Sequence, residues 1–284
     1  MADIVKFAVI GDCHYSKKGN YATRDCLGAK DRLSSIIEKL NQRNLDFVFS
    51  LGDLGDGHDE DEVPQMLEAF SACKHPVKYA IGNHDLCRRG EEEHAKIVNM
   101  PAPMYDFSVK GFRFIVLNAF EMSRYSRNEQ EREFYWNFRK NNPDVPVQEW
   151  PGLFRESSWE LLKSMLDDAK EKAENVIIFC HVPVWHLSCP RASWETEPHA
   201  ILVESEKMLA LLDNYPNIRA YIAGHYHPGG LSVRGGVMHK TVRSLCDFKE
   251  DTACIVYADG EKIKISGMGM ETNFVHLYPD SNVK

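Results

Sequence analysis

The sequence predicts an α/β protein built on parallel strands. Short apolar runs alternate with segments whose apolar residues recur at the helical period, an order that implies helical crossovers between parallel strands. The strand-like runs also end in glycine and polar residues, as expected where a ligand meets the carboxyl ends of such strands.

Taken in order, "VKFAVIGD" reads as a buried strand and "RDCLGAKDRLSSIIEKLNQR" as a helix. "DFVFSLGD" is a second strand, and "DEVPQMLEAFSAC" a second helix with acids near its start, where the helix dipole favours them. "VKYAIGNHD" is a third strand, and "YDFSVKGFRFIVLN" a hairpin turning at Lys110-Gly111. Residues 119–156 are polar and aromatic with no clear period, which suits a functional lid or cap insertion. "SSWELLKSMLDDAKEKA" is a helix with its N-cap expected at Ser157 or Ser158. Strand "NVIIFCHVP", helix "ILVESEKMLALLDNY" and strand "IRAYIAGHYH" follow, and the C-terminal part reads as hairpins turning at Asp259-Gly260. Repeats and linkers are lacking, so the expectation is one domain spanning residues 1–284.

With 284 residues, 43% hydrophobic and 27% charged, the chain can build a sizeable core. No apolar run approaches the roughly 18 residues of a membrane helix, and the start lacks signal-peptide features; a cytoplasmic protein without membrane partners is expected. The net charge of −8 and pI near 5.8 argue against a nucleic-acid polymer as partner. Eight cysteines without metal-type spacing read as reduced thiols.

Five strand ends carry chemistry: "GDCH" (Asp12, His14), "GDLGD" (Asp53, Asp56), "GNHD" (Asn83, His84, Asp85), "CHVP" (His181) and "GHYH" (His225, His227). Carboxylate and imidazole ligands suit Mn, Fe, Zn or Co. About seven such donors are too many for one tetrahedral ion but can serve two ions about 3.5–4 Å apart, if one carboxylate bridges them. Alternation along a strand places Asp12 with His14 and His225 with His227 on common faces. Taken singly, a strand-end histidine is more often a hydrogen-bonded surface residue and a Gly-Asp more often a turn. Five strand ends in this order are not explained that way.

These ordered blocks resemble the calcineurin-like metallophosphoesterases over about residues 5–230. The resemblance implies a four-layer αββα double β-sandwich with a dinuclear metal centre. Asp12, His14, Asp53 and His227 would hold one ion; Asp53, Asn83, His181 and His225 the other, with Asp53 bridging. His84 would face the substrate. Asp85, beside it, joins the catalytic set, acting with Asp56 as a carboxylate that fixes a ligand imidazole. "GHYHPGG", "GGVMHKTVRS", "GMGMETNFVHLY" and "ESSWELLKSML" are further similar to manganese-dependent ADP-ribose/CDP-alcohol diphosphatases. That subfamily carries Gln where this chain has His14, which leaves metal preference and substrate open.

The expected reaction is in-line hydrolysis of a phosphodiester or diphosphate bond by a metal-activated hydroxide, with His84 as charge stabiliser or leaving-group acid. The small-molecule substrate is then a nucleoside diphosphate-linked alcohol or sugar. The alternatives are a cyclic nucleotide, a glycerophosphodiester or a monoester. A non-enzymatic scaffold would have lost ligands, and this chain keeps them all. Tyr21, Phe134, Tyr135, Trp136, Trp150 and Trp185 are candidates to stack on a base, and Arg24 and Arg191 to meet a phosphate. Each has packing or surface exposure as its plainer reading.

Overall fold

In the computed structural model, which describes residues 4–145, 147–190 and 200–279, two six-stranded mixed sheets pack face to face. Arg191 lies outside the described residues. The first sheet has the order β12-β11-β10-β1-β2-β3, with β1 (Val5–Ile10), β2 (Phe47–Ser50) and β3 (Val77–Tyr79) parallel. β10 (Cys254–Ala258), β11 (Lys262–Gly267) and β12 (Phe274–Leu277) join it antiparallel. The second sheet has the order β4-β5-β6-β7-β9-β8. Here β5 (Phe112–Leu117), β6 (Asn175–Cys180), β7 (Ile218–Ala223) and β9 (Val237–Thr241) are parallel, flanked by antiparallel β4 (Tyr105–Val109) and β8 (Gly230–Arg234).

Phenylalanines fill the space between the sheets. Phe7 stacks on Phe47 at 4.9 Å, Phe49 on Phe179 at 3.8 Å, and Phe114 meets Phe7 edge-on at 5.4 Å. Such pairs add about 0.5–1.5 kcal/mol each beyond their buried area. The parallel strands are buried on both faces, as their continuous apolar sequences require. Helices α1 (Ala29–Leu40) and α2 (Glu62–Phe70) pack on each other, and α5 (Glu156–Glu171) packs on β5 and β6. The other α-helices among the described residues are α3 (Glu91–Ile97), α4 (Glu129–Asn141) and α6 (Ser205–Leu212), and the two stacked sheets with their flanking helices make the four-layer α/β arrangement.

Both expected turns are present. Lys110 and Gly111 take φ of 50° and 76°, the left-handed pair a two-residue hairpin needs. Three expectations shift. The first helix starts at Ala29, because residues 21–28 form a turn held by tertiary hydrogen bonds. α5 starts after Arg155 with no side-chain cap; Ser158 instead donates to Glu121 Oε1 at 2.6 Å. Residues 119–156 hold a helix, α4, capped by Asn128 accepting from Gln130 N at 3.0 Å. Only Tyr135 of α4 is buried, so there was no apolar stripe to read.

That 119–156 segment is closed at its base. Met122 and Leu153 exchange backbone hydrogen bonds of 3.0 and 2.9 Å, and Arg155 N donates to Glu121 Oε2 at 2.7 Å. At its far end Val145 and Val147 pack with Cys189, Ile201, Val203 and Tyr226. Tyr135 donates to Glu149 O at 2.6 Å and Arg139 to Val147 O at 2.8 Å, so α4 pins the stretch leading to Trp150.

Candidate metal centre

The five polar strand ends converge where the sheets meet. Asp12, His14, Asp53, Asn83, His181 and His225 follow β1, β2, β3, β6 and β7 and are buried or nearly so. His227 stands beside them, its side chain 16% exposed. One oxygen, Asp53 Oδ2, lies 3.3 Å from His14 Nε2 and 3.3 Å from His181 Nε2. Asp12 Oδ1 stands 3.6 Å from His227 Nε2 and 3.9 Å from both His14 and His181. His14 Nε2 and His227 Nε2 approach to 3.1 Å, and His225 Nδ1 and His181 Nε2 to 3.3 Å. Cβ atoms would not fit beside this cluster: one at Gly82 would stand 2.1 Å from Asp53 Oδ1.

The backbone is strained at this place. Asp12, His14, Asp53 and His225 have φ of 54°, 47°, 52° and 63°. Each left-handed conformation costs about 1–2 kcal/mol outside glycine, and such strain concentrates at functional sites. The turns also correct the expectation from strand alternation. β7 ends at Ala223, so His225 and His227 lie beyond it. His225 turns to His181, and His227 turns to His14. The pair divides between two corners of the cluster.

Hydrogen bonds assign the imidazole protons. A carboxylate can only accept, so His14 Nδ1 donates to Asp56 Oδ1 (2.9 Å) and His227 Nδ1 to Asp247 Oδ2. Their Nε2 lone pairs then face each other. His181 Nδ1 donates to Leu51 O at 2.8 Å, which turns its Nε2 to Asp53. Burial pushes His14 down to about 3 and His225 well below the usual range, keeping both rings neutral. Burial would also lower His181, but Asp53 outweighs it and raises it to about 9. Burial would raise Asp53; His181, His84 and His14 override it and hold its carboxyl ionised. Opposed lone pairs and an ionised buried carboxylate fit divalent cations. So do the buried Asn83 Oδ1 and His225 Nε2, which make no hydrogen bond.

His84 borders the cluster, with a ring nitrogen within 4.8 Å of donor atoms of His14 and Asp53. Its Nδ1 donates to Asp56 O at 2.8 Å, its ring is 4.5 Å from His14, and its side chain is 22% exposed. Asp85 differs from expectation. Its carboxylate is buried and accepts from Asp53 N (2.8 Å), Leu54 N (3.0 Å) and Gly82 N (2.9 Å). It shapes the loops of Asp53 and Asn83 and orients no ligand imidazole. Asp56 accepts from His14 and from Arg24 at 2.7 Å, and its Oδ2 lies 3.0 Å from His58 Nε2.

The substrate-side candidates fare unevenly. Arg24 donates from NH1 to Asp56 Oδ1 at 2.7 Å, and its side chain stays 22% exposed. Tyr21 is 63% exposed in the neighbouring turn. Trp185 packs on His186 and Arg234 and lines a different cleft with Val147, Ile201 and Leu209. Phe134 and Trp136 are exposed on α4. Trp150 alone of these rings is placed against a ligand candidate, 6.2 Å from the His225 ring. One residue escaped the sequence reading: Asp247 lies in a loop twenty positions after His227, where no spacing marks it.

Three comparisons agree with this geometry. A sequence model described as calcineurin-like phosphoesterase matches residues 5–229. A manganese-dependent ADP-ribose/CDP-alcohol diphosphatase from Arabidopsis thaliana is 26% identical, covering 84% of each chain. Its namesake from Danio rerio is 24% identical, over 86% of this chain and 88% of that one. A dimetal phosphatase crystal structure from Danio rerio superposes with a TM-score of 0.85 at 22% identity, covering 96% and 99% of the two chains. A purple acid phosphatase from yellow lupin shares the fold at a TM-score of 0.60 and 14% identity, covering 97% of this chain and 54% of that one. Among the described residues no helix is long and apolar enough to cross a membrane. The match runs through all five strand ends that build the cluster, and the chain belongs to the calcineurin-like phosphoesterase family, as a metal-dependent phosphohydrolase that works with two divalent ions.

Proposed function

We propose that the chain hydrolyses the diphosphate bond of a nucleoside diphosphate linked to an alcohol or sugar. The observation that carries the dinuclear reading is Asp53 Oδ2, equidistant from one histidine of each corner. Asp12, His14, Asp53 and His227 would hold one ion, and Asp53, Asn83, His181 and His225 the other. Bound there, the two ions supply positive charge for the phosphate and lower the pKa of water toward neutrality. His84 donates Nδ1–H to Asp56 O, so the proton for the leaving oxygen is a second one, carried on Nε2 of the imidazolium form, which returns to neutral imidazole on giving it up. Asp85 holds the loops that carry Asp53 and Asn83.

A metal pair accepts any phosphate, so selectivity comes from its surroundings. Trp150 beside His225 offers a face for a planar base, with stacking worth roughly 1–3 kcal/mol. The names of the relatives support a nucleoside diphosphate ester, and manganese as one working ion. The chain forms one domain, and residues 119–156 are its cap. Eight free cysteines, most of them buried, support a reducing, cytoplasmic setting.

The test is a turnover screen with added Mn²⁺ over ADP-ribose, CDP-alcohols, cyclic nucleotides, a glycerophosphodiester and a monoester. The nucleoside diphosphate esters should lead on kcat/KM. Faster turnover of the glycerophosphodiester or the monoester would overturn the substrate assignment.

A further inference from the structure

The turn at residues 21–24 touches both carboxylates that back the His14–His227 corner. Thr23 Oγ1 donates to Asp247 Oδ1 at 3.0 Å, while Asp247 Oδ2 holds His227 Nδ1. The next residue, Arg24, donates from NH1 to Asp56 Oδ1 at 2.7 Å, and that same oxygen holds His14 Nδ1 at 2.9 Å. Two adjacent side chains therefore reach the outer nitrogens of two imidazoles that come from distant parts of the chain. The turn is rigid. Tyr21 and Arg24 exchange backbone hydrogen bonds of 3.2 and 2.9 Å, and Asp25 N donates to Cys246 O at 2.9 Å, next to Asp247. Ala22 inside it has φ of 51°, a conformation alanine adopts only where its neighbours impose it. Ser244 Oγ adds a third donor, 3.0 Å from Asp247 Oδ2. Among the described residues no carboxylate plays this part at the other corner: His181 Nδ1 is held by Leu51 O.

We infer that Thr23, Arg24 and Asp247 are positioning residues forming a latch that sets the tautomer and angle of His14 and His227, and so tunes one metal site without the other. The inference rests on reading those histidines as ligands. An imidazole whose far nitrogen donates to a fixed carboxylate is a more basic and better aimed ligand, and loss of such a partner typically costs 10–100-fold in metal affinity.

The experiment titrates Mn²⁺ into the metal-stripped full-length protein and follows heat for wild type, Asp247→Asn, Thr23→Val and Thr23→Ser. Wild type should show two binding events; a single event or none would sink the dinuclear reading itself, whatever the variants do. In Asp247→Asn one event should weaken about 10–100-fold and the other stay within about twofold. Thr23→Val, which leaves Asp247 in place, should weaken the same event by a smaller factor, and Thr23→Ser should restore it. The unaltered second event reports that the fold is intact. Should Asp247→Asn not fold, Thr23→Val decides. Two wild-type events with equal weakening of both in the variants, or no change in either, would overturn the latch while leaving the metal pair standing.

Discussion

The two corners of the cluster are built from similar donors but supported differently. At the His14–His227 corner each outer nitrogen donates to a carboxylate, Asp56 or Asp247, and each carboxylate takes further donors. At the His181–His225 corner His181 rests on the backbone carbonyl of Leu51, and His225 Nε2 has no hydrogen-bond partner. One corner is therefore tuned by side-chain charge, and the other is fixed by the fold of β2 and β6. The difference teaches that a symmetric ligand list can hide two sites of unequal sensitivity. Charge-backed ligands respond to remote substitutions; backbone-backed ligands respond mainly to changes in the ligand itself.

The largest effect should come from the residue both corners share. Asp53→Asn keeps the shape but removes the charge that faces His14 and His181 together. Most metal should be lost from both sites, and kcat should fall on the order of 10³-fold or more, about 4 kcal/mol of transition-state stabilisation. Elemental analysis checks it; two ions per chain retained by the variant would erase the bridge that joins the corners.

His84 tests where the first corner ends. Its ring lies 4.5 Å from His14 but its Nδ1 is committed to Asp56 O. His84→Ala should retain wild-type metal content while turnover falls about 10²–10⁴-fold. The fall should be steeper for an alcohol leaving group than for nitrophenolate, which needs no proton. A loss of metal instead would add a third imidazole to the charge-backed corner and widen the asymmetry.

The smallest of these effects concerns the backbone-backed corner, where Trp150 stands by His225. Trp150→Ala should lower kcat/KM for a nucleoside diphosphate ester by roughly 1–3 kcal/mol, about 5–150-fold, and leave a small aryl diester unchanged. A point change is cleaner than trimming residues 119–156. Glu121 with Ser158 and Arg155 with Glu91 at the base, and Val145 and Val147 at the far end, tie that segment to the rest of the chain. Equal losses on both substrates would mean that Trp150 braces His225 and does not read a base.

Much of this was legible without coordinates, for reasons that differ by element. β1, β2, β6 and β7 are short apolar runs buried on both faces, and such runs announce themselves. The hairpin at Lys110-Gly111 was legible from its turn residues. α4 was not, since a helix lying on the surface with a single buried residue, Tyr135, carries no periodic signal. At the site, Asp12, Asp53 and the histidines were visible because glycine and a metal-type donor recur at strand ends. Asp247 was not, because hydrogen-bond partners of ligands need no fixed spacing.

The sequence by itself determined which donors this protein offers, in what order, and that parallel strands deliver them to one edge. Those facts are local: apolar period, glycine, and ligand chemistry are written residue by residue. Only the tertiary structure decided that His225 and His227 part company, that Arg24 backs Asp56, that Trp150 and not Trp185 meets the cluster, and that Asp247 backs His227. Each of these depends on left-handed turns and on contacts between segments far apart in the chain, where direction in space is set by packing of the two sheets and leaves no periodic trace in the residues themselves.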